Sequence, residues 1–214
     1  VLLENGYDED AFTLAAARKS QPGRDGRIVL LHSGIVYSSE RDPTQLFAAL
    51  RRLKQSAHPL ARRLLLRLRA TGNDASMREM IAAAGIADLV ELAPAIPYAD
   101  ALAEMLTVDG LLVLQAANCN DQIPAKAYEY LRAQRPLLAL TDPAGDTADV
   151  IRRAGIDTIA PLDDSDAIFA ALVDFLQAVE RGDAPLARQQ AVQDASRRGR
   201  TAQFARLLDS ACGV

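Results

Sequence analysis

Short apolar runs alternate with stretches of helical period along this chain. RIVLLHSG (27–34) is the first run. RLLLRLRATG (63–72), DLVEL (88–92), DGLLVLQ (109–115), RPLLAL (135–140) and DTIAPL (157–162) follow. Near-continuous apolar runs bounded by turn residues mark strands covered on both faces. The intervening segments carry apolar positions three and four apart. Over 43–55, Leu46, Phe47, Leu50 and Leu53 form one stripe behind Asp42 and Pro43, a helix-start pair. Further helices are predicted over 74–84, 98–106, 124–133, 146–153 and 165–180.

Six strands alternating with helices predict a doubly wound, mostly parallel, six-stranded Rossmann-like α/β sheet in the order 3-2-1-4-5-6. Ligands of such sheets bind beyond the carboxyl ends of the strands, where strands 1 and 4 adjoin. The search for chemistry is thereby directed to 33–43 and 115–126. The sheet domain spans 27–184. Residues 1–26 precede it as an entry segment: 1–12 show no strong period, and 13–26, with Pro22, Gly23 and Gly26, read as a surface loop. Residues 185–214 hold one or two terminal helices, with Phe204, Leu207 and Leu208 spaced to dock on this domain or another.

The chain has 214 residues, half of them apolar, enough for one large domain or two small ones. Its 28 acidic and 24 basic side chains leave a net charge of −4, which argues against a nucleic-acid partner. No apolar stretch approaches the roughly 18 residues that span a bilayer. Cys119 and Cys212 stand outside any CxxC and make no disulfide framework, so a reducing compartment is the default. The acidic N-terminus lacks the basic flank of a secretory signal. The basic clusters at 51–54, 61–69 and 196–200 read as solvated faces and strand flanks.

Two loops offer chemistry. In AANCNDQIPAKAYEYL (116–131), a helix opening at Pro124 directs free amides out of the sheet, an anion site that Asn120 or Asp121 could instead cap. Lys126 and Glu129 share a face turned from Ala127, Tyr128 and Leu131; Glu129 could equally pair with Arg132. Asp121 and Glu129 suit the hydroxyl pairs of a sugar or ribose. In HSGIVYSSERDP (32–43), Gly34 permits close backbone approach. Arg41 either reaches a phosphate or pairs with Glu40 or Asp42. Neither GxGxxG nor GxxxxGK[ST] is present, and no Ser/His/Asp set or HExxH assembles. His58, in a turn before Pro59, reads as structural, as does a lone His32. Cys119 has no basic neighbour to activate it.

Four segments together resemble the C-terminal, donor-binding half of a GT-B-fold glycosyltransferase of the group 1, or family four, type. ENGYDEDAF (4–12) looks like the segment following that family's interdomain linker. IVLLHSGIVYSSERDPTQLFAALRRL (28–53) resembles its first strand, glycine loop and helix. DQIPAKAYEYLRAQRPLLAL (121–140) resembles its acidic-x7-Glu region and is the most specific of the four. QDASRRGRTAQFARLLD (193–209) resembles its closing helix.

The resemblance implies a retaining enzyme that transfers sugar from a nucleoside-diphosphate sugar to a glycan or lipid-linked acceptor. Glu129 would then hold the ribose hydroxyls. Asp121, with the amides of Gln122 and Ile123, would hold the sugar. Gly34 and Arg41 would line the diphosphate, with Lys126 on the same face, and Ala95 or Ile96 would meet the base. The sequence departs from the family pattern where Asp121 replaces the usual Glu, where Ile35 follows the glycine in place of Arg, and in the Gly-Pro pair near 120–124. No catalytic residue, metal or cofactor is assigned. The partner implied is an N-terminal acceptor domain, so weak or no turnover is expected of these 214 residues alone, with peripheral membrane contact compatible with the full enzyme. An epimerase-like enzyme of similar fold and a non-catalytic α/β interaction module are the alternatives.

Overall fold

The computed structural model describes residues 2–18 and 26–212. Six parallel strands, β1 (Ile28–Ser33), β2 (Leu64–Arg69), β3 (Val90–Ala93), β4 (Gly110–Leu114), β5 (Leu137–Leu140) and β6 (Ile159–Ala160), form one sheet. Their order is β3-β2-β1-β4-β5-β6, the expected doubly wound arrangement. Five strands lie within the runs predicted for them, and β3 starts two residues inside its run (88–92) and ends one residue beyond it, at Ala93.

Side-chain alternation divides the core in two. Leu30, Leu64, Leu66, Leu68, Leu112 and Leu114 point to one face, where they meet α2 (Thr44–Gln55), α3 (Asp74–Ala84) and α7 (Ser165–Arg181). Val29, Leu31, Leu65, Leu111 and Val113 point to the other, under α4 (Tyr98–Met105), α5 (Ala125–Ala133) and α6 (Asp146–Arg153). Because both faces are covered, apolar residues occupy nearly every strand position. His58 serves the structural role expected of it: its Nδ1 accepts the Leu60 amide at 3.2 Å and starts a 3-10 turn.

The ends of the chain differ from expectation. Residues 13–16, read as loop, belong to α1 (Glu9–Ala16), while 19–25 lie outside the described residues. The Asp8 carboxylate caps α1 by accepting the Asp10 and Ala11 amides. Phe12 and Ala15, three apart, bury its inner side against the α4–α5 face. After α8 (Gln189–Asp194), which docks through Val192, comes α9 (Arg197–Cys212). This last helix buries none of its residues in the domain, and Phe204 and Leu208 each stay about half exposed. The docking expected of Phe204, Leu207 and Leu208 is therefore not made within the described residues. The apolar positions are there, but α9 is held to the domain at its first turn, where the Arg197 amide donates to the Tyr7 carbonyl and Arg200 pairs with Glu4, and Phe204 and Leu208 lie beyond that anchor.

The basic run 61–69 also departs from its reading as a solvated flank. Strand alternation puts Arg67 and Arg69 beside Leu65 on the α4 face, where both guanidiniums are buried. They converge on the carboxylate of Glu104 in α4, itself only 4% exposed. Arg67 Nη1 donates to Oε1 at 2.9 Å and Arg69 Nη2 donates to the same oxygen at 2.8 Å. Arg67 also pairs with Glu91, and Arg69 Nη1 donates to the Pro94 carbonyl at 2.7 Å. The buried ions thereby fasten the turn from β3 into α4.

Candidate functional site

The carboxyl ends of β1 and β4 meet where the two candidate loops lie, and side chains lock those loops together. The Ala116 amide donates to the Glu40 carbonyl at 2.7 Å, and Asn118 Nδ2 donates to the Ser39 carbonyl at 2.8 Å. Buried Gln115 holds the β4–α5 loop from beneath by donating to the Cys119 carbonyl. Thr147 donates to the Gln122 carbonyl from α6. The result is a braced loop between β4 and α5.

α5 opens after Pro124 with no side-chain cap. Neither Asn120 nor Asp121 takes the capping role the sequence left open. Asn120 donates to Asp142 at 2.6 Å instead, and Asp121 is exposed. The Gln122 amide, expected to face a ligand, is bonded to the Cys119 carbonyl at 3.0 Å. Its loop turns back on itself there, which satisfies that donor internally. The amides of Ile123, Ala125 and Lys126 have no partner among the described residues and open at the mouth of the helix.

Lys126 reaches from the head of α5 over the end of β1. Its Nζ lies 3.2 Å from His32 Nε2, and His32 Nδ1 lies 2.9 Å from the Leu112 carbonyl oxygen. A carbonyl only accepts, so Nδ1 carries the ring proton and Nε2 is left to accept from the lysine. Burial, reinforced by the Lys126 charge, holds His32 well below the ordinary histidine range and keeps it neutral. Burial also drives the Lys126 ammonium down to about 7; neighbouring Arg41 adds to the effect and Glu129 opposes it. No carboxylate forms an ion pair with Lys126 among the described residues.

Arg41 likewise ignores Glu40 and Asp42. Its Nη1 donates to the Ile35 carbonyl at 2.8 Å, its guanidinium lies over the Tyr37 ring, and its buried Nε finds no partner. Gly34 lies under Lys126 with φ +121°, and a Cβ built there would stand 2.9 Å from Lys126 Nζ. A side chain would intrude on the space above the ammonium and strain the backbone. We expect Gly34→Ala to destabilise the fold by about 1–3 kcal/mol, read from a denaturant melt. It should also displace the Lys126 head group.

Glu129 faces the same end of the sheet one turn beyond Lys126. It does not take Arg132, which pairs with Glu9 of α1. It accepts a hydrogen bond from the hydroxyl of Tyr98 at 2.7 Å. Ala95 and Ile96 lie in the turn between β3 and α4, just ahead of Tyr98, with Ala95 exposed. Three contributors were not assigned in the sequence reading: His32 as acceptor for Lys126, Tyr98 as donor to Glu129, and Tyr130. Buried Tyr130 accepts the Ser33 amide at 2.9 Å and shapes the exit from β1. Within AYEYL (127–131) nothing local set Tyr130 apart; its phenol needed a partner only once buried.

Two hollows among the described residues are lined by none of Gly34, Arg41, Lys126 and Glu129. A polar groove of about 920 Å³ runs between the head of α1 and α8–α9, lined by Tyr7, Arg132, Gln193 and Arg197. A smaller one of about 410 Å³, beyond β4–β6, is lined by Asp42, Asp142 and Asp163. That acidic wall repels anions, whereas Lys126 and Arg41 attract them.

No protein-family model and no curated protein matches the chain. Solved structures do. Sucrose-phosphate synthase from Thermosynechococcus elongatus superposes with a TM-score of 0.71 at 16% identity, over 100% of this chain and 53% of that one. A UDP-forming α,α-trehalose-phosphate synthase from Burkholderia vietnamiensis gives 0.66 at 15% identity, over 99% and 51%. The N-terminal domain of Candida albicans trehalose-6-phosphate phosphatase gives 0.68 at 13% identity, over 97% and 49%. The chain spans about half the length of each. Its fold is shared with about half of each of these proteins, a six-stranded parallel Rossmann-like sheet.

Proposed function

We propose that this chain is the donor-binding half of a retaining glycosyltransferase, which transfers sugar from a nucleoside-diphosphate sugar to a glycan or lipid-linked acceptor. One observation carries the reading. Two cations, Lys126 beside Gly34 and Arg41 bonded to the neighbouring Ile35 carbonyl, form no ion pair with a carboxylate among the described residues. A sequestered charge without a counter-ion costs several kcal/mol, so the arrangement calls for an anion brought from outside. A diphosphate supplies that charge and presents acceptors to the amides at the mouth of α5.

Built outward from the diphosphate, Glu129 accepts from the ribose, and the base lies along Ala95 and Ile96. Asp121 and the Ile123 amide meet the sugar; the Gln122 amide, already bonded, is left out of the contact. When the glycosidic bond breaks, negative charge grows on the departing diphosphate. Lys126, Arg41 and the α5 amides are already aimed where it grows, and each such donor is worth about 3 kcal/mol in the transition state. The nucleotide sugar is substrate rather than cofactor. The acceptor and its activation belong to a second domain, in keeping with the half-length match to the synthases.

Titration with UDP, GDP and ADP tests the reading. A nucleotide at 100 times its Kd stabilises the folded chain by about 2.7 kcal/mol. Flat melts with all three at millimolar concentration would reject a donor site. Binding should also depend on pH in a particular sense. The anion prefers protonated Lys126, whose pKa is about 7, so affinity declines as pH rises above neutrality, by up to about tenfold per unit. Stability of the unliganded protein moves oppositely. The unfolded chain keeps the lysine proton up to its ordinary 10.5, so the Lys126 contribution rises with pH between about 7 and 10.5 and is lost as pH falls through 7. Calorimetric titrations and melts between pH 6 and 9 read both slopes.

A further inference from the structure

Glu129 is held from one side before any ligand arrives. Tyr98 is the first residue of α4, and its hydroxyl donates to Glu129 Oε1 at 2.7 Å. No other donor reaches that carboxylate among the described residues, because Arg132 is engaged by Glu9. One oxygen of Glu129 thus has a partner, and Oε2 has none among the described residues. The Tyr98 ring is meanwhile 53% exposed, although aromatic rings gain most from being covered. Its backbone is fixed from behind, since Arg69 donates to the Pro94 carbonyl at the start of the same turn. Desolvation first, then the hydrogen bond to Glu129 and its charge, raise the phenol above its ordinary range, so it remains a donor at physiological pH.

We propose that Tyr98 is a positioning and specificity residue of the donor site: its hydroxyl holds one oxygen of Glu129, aims the other at a ribose hydroxyl, and thereby sets the preference for ribo- over deoxyribonucleoside diphosphates. The inference rests on the donor-site reading above. A carboxylate on a long side chain loses rotamer freedom when it binds, and a fixed donor removes that loss in advance. A bound hydroxyl also leaves an unpaired acceptor behind when it is deleted from the ligand, which is how a site reads its presence. With Oε1 committed to the phenol, Oε2 accepts from the pentose alone. Pentose recognition then runs through one oriented oxygen, and the Tyr98 ring borders the nucleoside on the side of Ala95 and Ile96.

The test compares wild type with Tyr98→Phe, which keeps the ring and the start of the helix and removes only the hydroxyl. Calorimetry measures Kd for the tightest of UDP, GDP and ADP, for its 2′-deoxy and 3′-deoxy counterparts, and for inorganic pyrophosphate. Wild type is expected to lose about tenfold in affinity with one of the two deoxy ligands. Tyr98→Phe should bind the parent nucleotide about tenfold more weakly, bring that ratio close to one, and bind pyrophosphate as wild type does. A ratio preserved in the variant overturns the proposal. So does tighter nucleotide binding, the mark of a phenol that competes with the ribose. A parallel loss of pyrophosphate affinity means a merely structural role and overturns it too. If wild type binds none of the three nucleotides, the donor-site reading falls and this inference with it. A wild type that binds them without distinguishing deoxy forms removes this inference alone.

Discussion

Lys126→Met is expected to weaken nucleoside-diphosphate binding about 100-fold, close to 2.7 kcal/mol, while raising the melting temperature of the unliganded protein. The two effects have one cause. Lys126 spends its ammonium on a single neutral acceptor, His32 Nε2, and lies near a like charge, Arg41. Its pKa of about 7 records how poorly the unliganded fold tolerates that charge, with loss of solvent as the main cause. Methionine keeps the length of the stem and needs no water. It leaves His32 Nε2 without a donor, a loss of about 1–3 kcal/mol, against a relieved desolvation penalty of several kcal/mol. Sites that trade stability for function behave in this way. Paired calorimetry and thermal melts check it. A variant that melts lower and binds UDP, GDP or ADP as wild type does would make Lys126 an ordinary structural residue.

Glu104→Ala carries the largest expected effect on folding, about 3–5 kcal/mol of destabilisation. The substitution removes few contacts but strands two buried guanidiniums, those of Arg67 and Arg69, on the sheet face beneath α4. Arg67 would retain Glu91, which is partly open to water, and Arg69 would retain only the Pro94 carbonyl. A domain of ordinary stability, about 5–15 kcal/mol, loses a large share of its margin by such a change. Urea denaturation of Glu104→Ala measures it. The triple replacement Arg67→Met, Arg69→Met, Glu104→Leu gives the contrast. Removing all the charges together is expected to be close to neutral, because each ion's desolvation penalty disappears with it. A Glu104→Ala variant within about 1 kcal/mol of wild type would show the guanidiniums reaching water by another route.

Local pattern carried most of the architecture. A strand such as Leu111–Leu114 declares itself because both faces of a parallel sheet are covered and every position must be apolar. Helix α3 is bounded by Asn73, whose side chain accepts the Ser76 amide, and by Gly85 at φ +69°, both readable as start and stop signals. α1 escaped notice because eight residues hold only two buried positions, Phe12 and Ala15, too few to show a period. The alternation Leu65, Arg67, Arg69 did place both arginines on an inward face. Without Glu104, which stands 35 residues beyond Arg69, nothing marked them as buried rather than solvated.

The candidate site divides along the same line. The sequence by itself determined the six strands, their likeness to a nucleotide-binding sheet, and the placing of Gly34, Lys126 and Glu129 at one end of it. Periodicity, turn chemistry and connection rules act over short stretches and leave their marks in the order of residues. Only the tertiary structure decided that His32 meets Lys126 across 94 positions and that Tyr98 meets Glu129 across 31. It alone decided that the Gln122 amide turns inward and that Lys126 forms no ion pair with a carboxylate among the described residues. Charge state depends on water excluded and on neighbours brought close by folding, and neither is a property of any segment taken singly.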